Sequence, residues 1–336
     1  MHRRAGALLL GTLMSALPMT GLAAARIDCS LLKEQRTPEQ ADQWFAYSIM
    51  AGRCHDFRAV AMRIGPGGIR TVEIRHRVSD EGERETTRFL DGPHPDVRSN
   101  AHLERRWQIA AEALNRAGGD EDDVVTAMKR HYRFRMVGQS RVADREAVVI
   151  DIQPRDALRY GHRLWLDRTT GLLLKQQLLG RQGDPLEVIQ LASLSDVSLY
   201  AGQLALPDRR RLPESRWSPQ WLPPGFYPQP VDDEVVIDGV TMRRQLYSDG
   251  LSTLSVFLGP LDEAVSLREG VHQLGNFRAA SRHLSHDRQS WQLVAVGEVP
   301  TEVLTHTVAG IDWQSGNDAE AETAAAPAAG GASPSS

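Results

Sequence analysis

Three residues near the C-terminal end of the sequence, His283, His286 and Asp287, have side chains that can bind a metal ion. Two imidazoles and a carboxylate are common zinc ligands, but such a site also needs a fourth ligand or an open position for water. No compatible fourth group stands at a recognisable distance along the sequence. We therefore interpret these histidines as structural or exposed residues and expect no metal.

An acidic cluster, Asp120-Glu-Asp-Asp123, could be read as a cation-binding loop. It lacks the glycine and the terminal glutamate of a calcium loop. Carboxylates also favour the positive N-terminal end of a helix. The cluster therefore predicts the start of a short helix from Val124 to His131.

Motifs of catalysis and of nucleotide binding are missing from the sequence. It contains no Gly-x-Ser-x-Gly elbow, no His-Glu-x-x-His and no phosphate-binding or dinucleotide-binding glycine pattern. The glycines from Gly65 to Gly68 are typical of a hairpin turn. We predict a protein that is not an enzyme and that uses no cofactor.

The N-terminus has the pattern of a secretory signal peptide. Arg3 and Arg4 precede an apolar run from Ala5 to Met14, and small residues follow up to Ala25. Removal of residues 1–25 would leave 37 of the 39 basic residues against 43 acidic ones, a net charge of about −6. This balance excludes a generally basic surface for nucleic acid.

Cys29 and Cys54 are the two cysteines of the chain. Export places them in an oxidising compartment, where two nearby cysteines that flank a helix favour a structural disulfide. That helix is predicted to begin at the Thr37–Gln40 cap and to end near Ala51, with Trp44 and Phe45 as core residues.

Alternating apolar and polar residues predict an antiparallel meander in the middle of the chain. One face of this meander carries Tyr, Phe, Met, Leu and Ile side chains, which could bury acyl chains or form the core of the protein. Its predicted strands are Tyr132–Gly138, Arg145–Ile152, Arg159–Asp167, Leu172–Leu179 and Leu186–Leu194.

Upstream of the meander, the sequence predicts a hairpin of Phe57–Ile64 and Ile69–Val78 and a further strand, Arg84–Leu90. His76 lies on the apolar face of this hairpin and is predicted to be a hydrogen-bonded sheet residue. Helical spacing predicts a helix within Asn100–Arg116.

A polar, proline-containing passage at residues 197–216 predicts a linker to a second domain at residues 217–313, and the composition from residue 314 to 336 predicts disorder. The second domain is predicted to be a small sheet with one helix. Its predicted strands are Glu234–Ile237, Val240–Ser248, Leu251–Leu258, Gln273–Leu284 and Ser290–Gly297, and its helix is Pro300–Ala309.

Four strings of residues resemble the MucB/RseB family of periplasmic regulators of the envelope-stress sigma factor. They are Tyr132-Arg-Phe-Arg-Met-Val-Gly138, Trp221-Leu-Pro-Pro-Gly-Phe226, Leu246-Tyr-Ser-Asp-Gly-Leu251 and Gly297-Glu-Val-Pro300. The resemblance implies an α+β protein. It also implies an N-terminal unclosed β-barrel packed with helices at residues 26–196, similar to the lipoprotein carriers, and a smaller C-terminal α+β domain.

The same resemblance implies a function in the periplasm. The protein would bind the periplasmic domain of an inner-membrane anti-sigma factor of the RseA/MucA type and shield it from proteolysis. It would release that domain on sensing lipid or lipopolysaccharide acyl chains, and so act as a negative regulator of a sigma-E/AlgU-type factor. Self-association as a homo-oligomer stays open.

Candidate binding residues follow from this resemblance. For lipid they are Tyr132, Phe134, Met136, Tyr160, Leu164 and Leu166. For the anti-sigma partner they are Trp217, Trp221, Arg243, Arg244, Tyr247 and Asp249. The alternative for each set is that its apolar and aromatic members form core.

Two other functions remain open from the sequence. One is a periplasmic lipid or lipoprotein carrier without a regulatory partner, although a carrier needs no second domain. The other is an envelope hydrolase of an unrecognised type.

Overall fold

A computed structural model describes residues 26–92, 97–99, 121–205, 217–231, 234–237, 239–262, 266–274, 277–286 and 288–313. The signal peptide predicted at residues 1–25, the helix predicted within Asn100–Arg116 and the disorder predicted at residues 314–336 lie outside these residues. The described part is mostly β-sheet with few helices, arranged as unclosed antiparallel sheets.

Nine of the described strands form the larger sheet, in the order β5-β4-β3-β2-β10-β9-β8-β7-β6. The terminal strands of this order, β5 and β6, do not pair with each other in the described residues, so the sheet is not closed there. Its strands are β2 His55–Gly65, β3 Gly68–Ser79, β4 Gly82–Phe89, β5 Val97–Ser99, β6 Tyr132–Val142, β7 Arg145–Pro154, β8 Gly161–Asp167, β9 Leu173–Leu179 and β10 Pro185–Leu199.

Helices α2 (Ala41–Cys54) and α3 (Glu121–Met128) pack on this sheet, and a short helix, α1, spans Leu31–Glu34. Trp44 and Phe45 of α2 are buried in one apolar cluster with Ile150 and Ile152 of β7, which confirms them as core residues. No helix within the described ranges is long and apolar enough to cross a membrane.

Helix α2 differs from its prediction at both ends. It begins after Gln40 rather than after Thr37, because the side-chain oxygen of Gln43 accepts hydrogen bonds from the backbone N–H groups of Glu39 (3.2 Å) and Gln40 (3.1 Å). The helix also continues past Ala51 to Cys54. Helix α3 likewise begins earlier than predicted, at Glu121, and ends at Met128 rather than at residue 131.

The predicted disulfide between Cys29 and Cys54 is present, with the two Cα atoms 5.5 Å apart. It ties the segment after β1 (Arg26–Asp28) to the end of α2. Strand β1 pairs with β11 (Gln203–Ala205), and β10 runs to Leu199, so regular strands occupy the first part of the predicted linker. Residues 206–216 lie outside the described ranges.

The smaller sheet contains seven described strands. Six follow the order β13-β15-β16-β19-β18-β17, and β14 also pairs with β15. Helix α4 (Thr301–Ala309) packs on β18 and β19. The strands are β13 Tyr227–Gln229, β14 Glu234–Ile237, β15 Val240–Ser248, β16 Thr253–Pro260, β17 Gly270–Leu274, β18 Phe277–His286 and β19 Gln289–Gly297.

Two details of the smaller domain differ from the prediction. The single strand predicted from Gln273 to Leu284 is instead a hairpin of β17 and β18. In addition, strand β12 (Trp217–Pro219) pairs with β20 (Ile311–Trp313), and neither strand was predicted from the sequence. Strands β12 and β20 form a separate two-stranded sheet, so Pro219 lies on an edge strand, where proline is tolerated.

Candidate functional site

The six lipid candidates divide into buried and partly exposed side chains. Tyr132, Leu164 and Leu166 are buried in the cluster between the larger sheet and helices α2 and α3. Phe134 is only partly buried, and its ring lies 5.5 Å from that of Phe45. Met136 is 41% exposed. The buried members therefore form core, as the alternative interpretation of the sequence stated.

Tyr160, the sixth lipid candidate, lies just before β8 and is half-buried. Burial raises the pKa of its hydroxyl, the charge of Arg181 lowers it, and the charge of Glu302 in helix α4 raises it again. Its electrostatic environment therefore includes a residue of the smaller sheet's helix. Tyr160 lies near the junction between the two sheets.

A second apolar cluster lies on β2, β3, β6, β7, β9 and β10 and was not identified from the sequence. Ala59 pairs with Ile74 and Ala61 with Val72, so small side chains stand opposite large ones in the register. Partly buried side chains pack against this cluster, namely Phe57, Phe89, Ala143, Trp165 and Leu194. The alternation of alanine with larger residues in β2 was the available signal.

Among the partner candidates, Trp217 and Tyr247 are buried in the core of the smaller domain. The hydroxyl of Tyr247 donates to the side-chain oxygen of Gln245, and Nε2 of Gln245 donates to the carbonyl oxygen of Trp217 (2.8 Å). Burial raises the pKa of Tyr247. Both aromatic side chains thus have structural partners inside the domain.

The other partner candidates differ in accessibility. Trp221 is partly buried, and its ring lies 4.3 Å from that of His306 in helix α4. Arg243 is exposed and stands opposite Glu234 of β14. Arg244 is buried with its guanidinium 5.8 Å from the centre of the Phe257 ring.

Asp249, the last partner candidate, lies in the turn between β15 and β16, and its side chain joins the two sheets. One carboxylate oxygen accepts hydrogen bonds from Nη1 of Arg159 (2.6 Å) and from the hydroxyl of Tyr132 (2.8 Å). The other accepts the backbone N–H groups of Leu251 (3.0 Å) and Ser252 (2.8 Å). The carboxylate is 1% exposed, so it is no surface contact in this structure.

Arg159 satisfies its remaining donors on both sides of the same junction. Nη2 donates to the carbonyl oxygen of Pro224 (2.6 Å), and Nε donates to Asp156 (3.1 Å). Burial lowers the pKa of Arg159, but the charge of Asp249 and the hydrogen bond to and charge of Asp156 outweigh it and raise that pKa. The pKa of Tyr132 lies well above its ordinary value, because burial and the Asp249 charge both disfavour the phenolate. At neutral pH the junction therefore contains a charged arginine and a neutral tyrosine.

The histidines considered for metal binding have other contacts. Nε2 of His283 lies 2.8 Å from the carbonyl oxygen of Leu267, and Asp287 is outside the described residues. Within the described ranges no group of three or more His, Cys, Asp and Glu side chains is placed to hold a metal ion.

His76 is a buried sheet residue, as predicted from its position in β3. Its Nδ1 lies 2.7 Å from the carbonyl oxygen of His55, and its Nε2 lies 3.6 Å from Oε1 of Glu83. Burial lowers the pKa of His76, but the adjacent Glu83 carboxylate, the hydrogen bond to the His55 carbonyl oxygen and the charge of Glu85 outweigh it. The pKa of His76 is therefore raised above its ordinary 6.5.

Replacing His76 with glutamine should remove a pH-dependent part of the stability. A histidine whose pKa is raised in the folded state contributes its full stabilisation of the fold below its ordinary pKa of 6.5. This contribution is lost as the pH rises through the folded-state pKa. We expect His76→Gln to lower the free energy of unfolding by about 1–3 kcal/mol at acidic pH and by less in alkaline buffer. Urea unfolding across this pH range measures the difference. The partly exposed His272 supplies the control, His272→Gln, and a pH-independent loss for His76→Gln would contradict the assignment.

Comparison with known proteins decides the family of the chain. The MucB/RseB N-terminal domain matches residues 40–209, and the MucB/RseB C-terminal domain matches residues 211–312. The chain belongs to the MucB/RseB family.

Curated relatives in the MucB/RseB family are regulatory proteins. The sigma factor AlgU regulatory protein MucB of Pseudomonas aeruginosa is 32% identical over 326 residues, which cover 87% of this chain and 92% of the relative. The sigma-E factor regulatory protein RseB of Escherichia coli K12 is 27% identical over 282 residues, covering 75% of this chain and 84% of the relative.

A solved structure of a MucB/RseB family member shares the fold. The crystal structure of MucB in complex with MucA(peri) matches with a TM-score of 0.60 at 29% identity. The match covers 82% of this chain and 99% of that chain. The similarity therefore includes both sheets.

Proposed function

We propose that this protein is a periplasmic regulatory binding protein that binds the periplasmic domain of an inner-membrane anti-sigma factor of the MucA/RseA type. It protects that domain from regulated proteolysis and releases it on sensing lipid, and so negatively regulates an envelope-stress sigma factor. One observation carries the proposal: the similarity to MucB in complex with MucA(peri) extends over both sheets.

The two sheets have separate parts in this proposal. The N-terminal part, residues 26–196, is an unclosed β-barrel similar to lipoprotein carriers and senses lipid, and residues 217–313 contribute to binding the partner. The partly exposed Phe134, Met136 and Tyr160 are the proposed lipid contacts. Trp221 and the exposed Arg243 are the proposed partner contacts.

A lipid carrier without a partner is the second candidate function, and the open larger sheet favours it. A carrier, however, gives no reason for the seven-stranded second sheet, which buries its own core around Leu254 and Leu293. Binding assays with the two ligand classes separate these functions.

The test is a titration of a fluorescent peptide carrying the periplasmic segment of the anti-sigma factor. We expect the full-length protein to bind the peptide, and lipopolysaccharide to release it. Polysaccharide stripped of its acyl chains should not release the peptide. A ligand shifts the equilibrium between the peptide-bound and released forms only when it binds one form more tightly, and the proposal assigns that preference to the acyl chains. Lipid binding without peptide binding would favour the carrier and overturn the regulatory proposal.

Point variants of the full-length chain are better suited to locating the peptide site than deletion of the second domain. Leu251 of the second domain is buried in the core of the first, so deletion would expose that core and remove Asp249, the partner of Arg159. Arg243→Glu reverses an exposed charge, and we expect it to weaken peptide binding about tenfold. Arg288→Glu, on the β18–β19 turn, is the matched charge reversal and should leave the affinity unchanged.

A further inference from the structure

The turn between β15 and β16 closes the core of the larger sheet's domain. Leu251 of this turn is buried in the same apolar cluster as residues of α2, α3 and β7. A methyl group on Gly250 would lie 3.6 Å from Sδ of Met128 in α3. At Gly225 the approach is closer, since a methyl group there would lie 2.4 Å from Nε2 of His131. The two domains therefore meet through close backbone and apolar contacts.

At the centre of this contact lies the buried ion pair of Arg159 and Asp249, with side chains 0% and 1% exposed. Moving two charges out of water is costly, and their attraction offsets the cost only when geometry is good and the remaining donors and acceptors are bonded. Here Arg159 bonds Asp249 and Pro224 of the smaller domain, and Asp249 bonds both Arg159 and Tyr132 of the larger one. The pair is satisfied in one relative orientation of the domains. Any other orientation would separate the two charges and leave them buried without a partner, unless water reached them.

Two further contacts across the junction, outside this buried cluster, are more exposed. Arg181 and Glu302 form an ion pair at 3.2 Å, with side chains 48% and 71% exposed. Arg63 lies over the ring of Phe277 at 5.0 Å. Exposed ion pairs contribute little, about 0–1 kcal/mol each. The buried cluster of Arg159, Asp249 and Tyr132 is thus the polar contact that can fix the orientation.

We propose that Arg159, Asp249 and Tyr132 form an interdomain latch that holds the smaller domain in one orientation against the larger one. We further propose that binding of the anti-sigma segment requires the latched orientation. The second statement rests on the proposed function, because it names a control on that binding. These three side chains act as positioning residues, since they are buried and reach a partner only through the domains they hold.

Asp249→Asn in the full-length protein tests the latch directly. It keeps the size of the side chain but leaves the Arg159 charge buried without its counter-charge, so we expect the docking equilibrium to shift roughly a hundredfold toward the undocked form. Spin labels at Glu146→Cys in the larger domain and Val236→Cys in the smaller domain report the interdomain distance without any ligand. Both native side chains are well exposed, and the native cysteines are bonded to each other.

The wild type should give one narrow distance distribution, and Asp249→Asn a broad one. Glu302→Gln is the matched control, because it removes an exposed charge across the same junction and should keep the narrow distribution. The double variant Arg159→Met/Asp249→Asn removes both charges and should recover part of the docking lost in the single variant. A narrow distribution in Asp249→Asn overturns the latch.

If Asp249→Asn does not fold, Tyr132→Phe supplies the test, since it removes one hydroxyl and keeps the ring. We expect the docking equilibrium of Tyr132→Phe to shift about fivefold toward the undocked form. An unchanged distance distribution in this variant overturns the latch. Peptide affinity then separates the two proposals. If the variants bind the peptide more weakly in proportion to their undocked fraction, binding requires the latched orientation. If an undocked variant binds the peptide as tightly as the wild type, that requirement is overturned. A wild type that is latched but does not bind the peptide overturns the proposed function alone.

Discussion

Replacing Trp217 with alanine is expected to lower the free energy of unfolding by about 3–5 kcal/mol. Trp217 is 2% exposed and lies in the core of the smaller domain with Leu254 and Leu304. Truncation to alanine removes the buried ring and leaves a cavity that the neighbouring side chains fill only in part. Denaturant unfolding followed by circular dichroism measures the loss.

Trp221→Ala is the matched control for this prediction. Its ring is partly exposed and packs on His306, so we expect a loss of only about 1 kcal/mol. If Trp221 contacts the anti-sigma segment, this variant should bind the peptide more weakly while it remains folded. Should Trp217→Ala keep its stability and lose only peptide binding, Trp217 is a surface contact and not a core residue.

The strands of this protein could be predicted well because their alternation is local. Strands β14 and β15 have the predicted bounds, Glu234–Ile237 and Val240–Ser248. The ends of helix α2 were harder, because Thr37 and Gln40 both have capping side chains and the bonds to Gln43 decide between them. A competition between two nearby caps depends on three-dimensional geometry that the spacing of residues does not contain.

The junction between the domains could not be predicted for a different reason. Tyr132, Arg159 and Asp249 are separated by up to 117 residues along the chain. The sequence placed Tyr132 on the apolar face of a strand, as a lipid contact or a core residue, and Asp249 between two predicted strands, as a candidate partner contact. Each assignment was reasonable for its own element. The turn between β15 and β16 becomes part of a core only because the two domains pack together. Hydrophobic periodicity carries no information on that packing.

Burial also changes how the two sets of candidate residues should be tested. Tyr132, Trp217 and Asp249 have buried partners, so their substitution alters the domain or the junction as well as any binding surface. Met136 and Arg243 are exposed, so they can be changed with little effect on stability. Binding assays on the exposed residues and stability assays on the buried ones therefore answer separate questions.

Loss of the Cys29–Cys54 disulfide is expected to destabilise the larger domain by about 3.5 kcal/mol, the entropy of closing a loop of about 25 residues in the unfolded chain. The two sulfur atoms lie in an apolar cluster with Ile27, Leu32 and Met50, so the double variant Cys29→Ala/Cys54→Ala keeps the site apolar.

Urea unfolding of this double variant and of the wild type, each with and without a reductant in the unfolded sample, measures the contribution. The reductant should lower the free energy of unfolding of the wild type toward that of the double variant. It should leave the double variant unchanged, because that variant has no cysteine to react. Since the disulfide joins the segment after β1 to the end of α2, hydrogen exchange in β1 and β11 should rise most in the variant. A loss below about 1 kcal/mol would show that the apolar cluster holds this segment in place without the covalent bond.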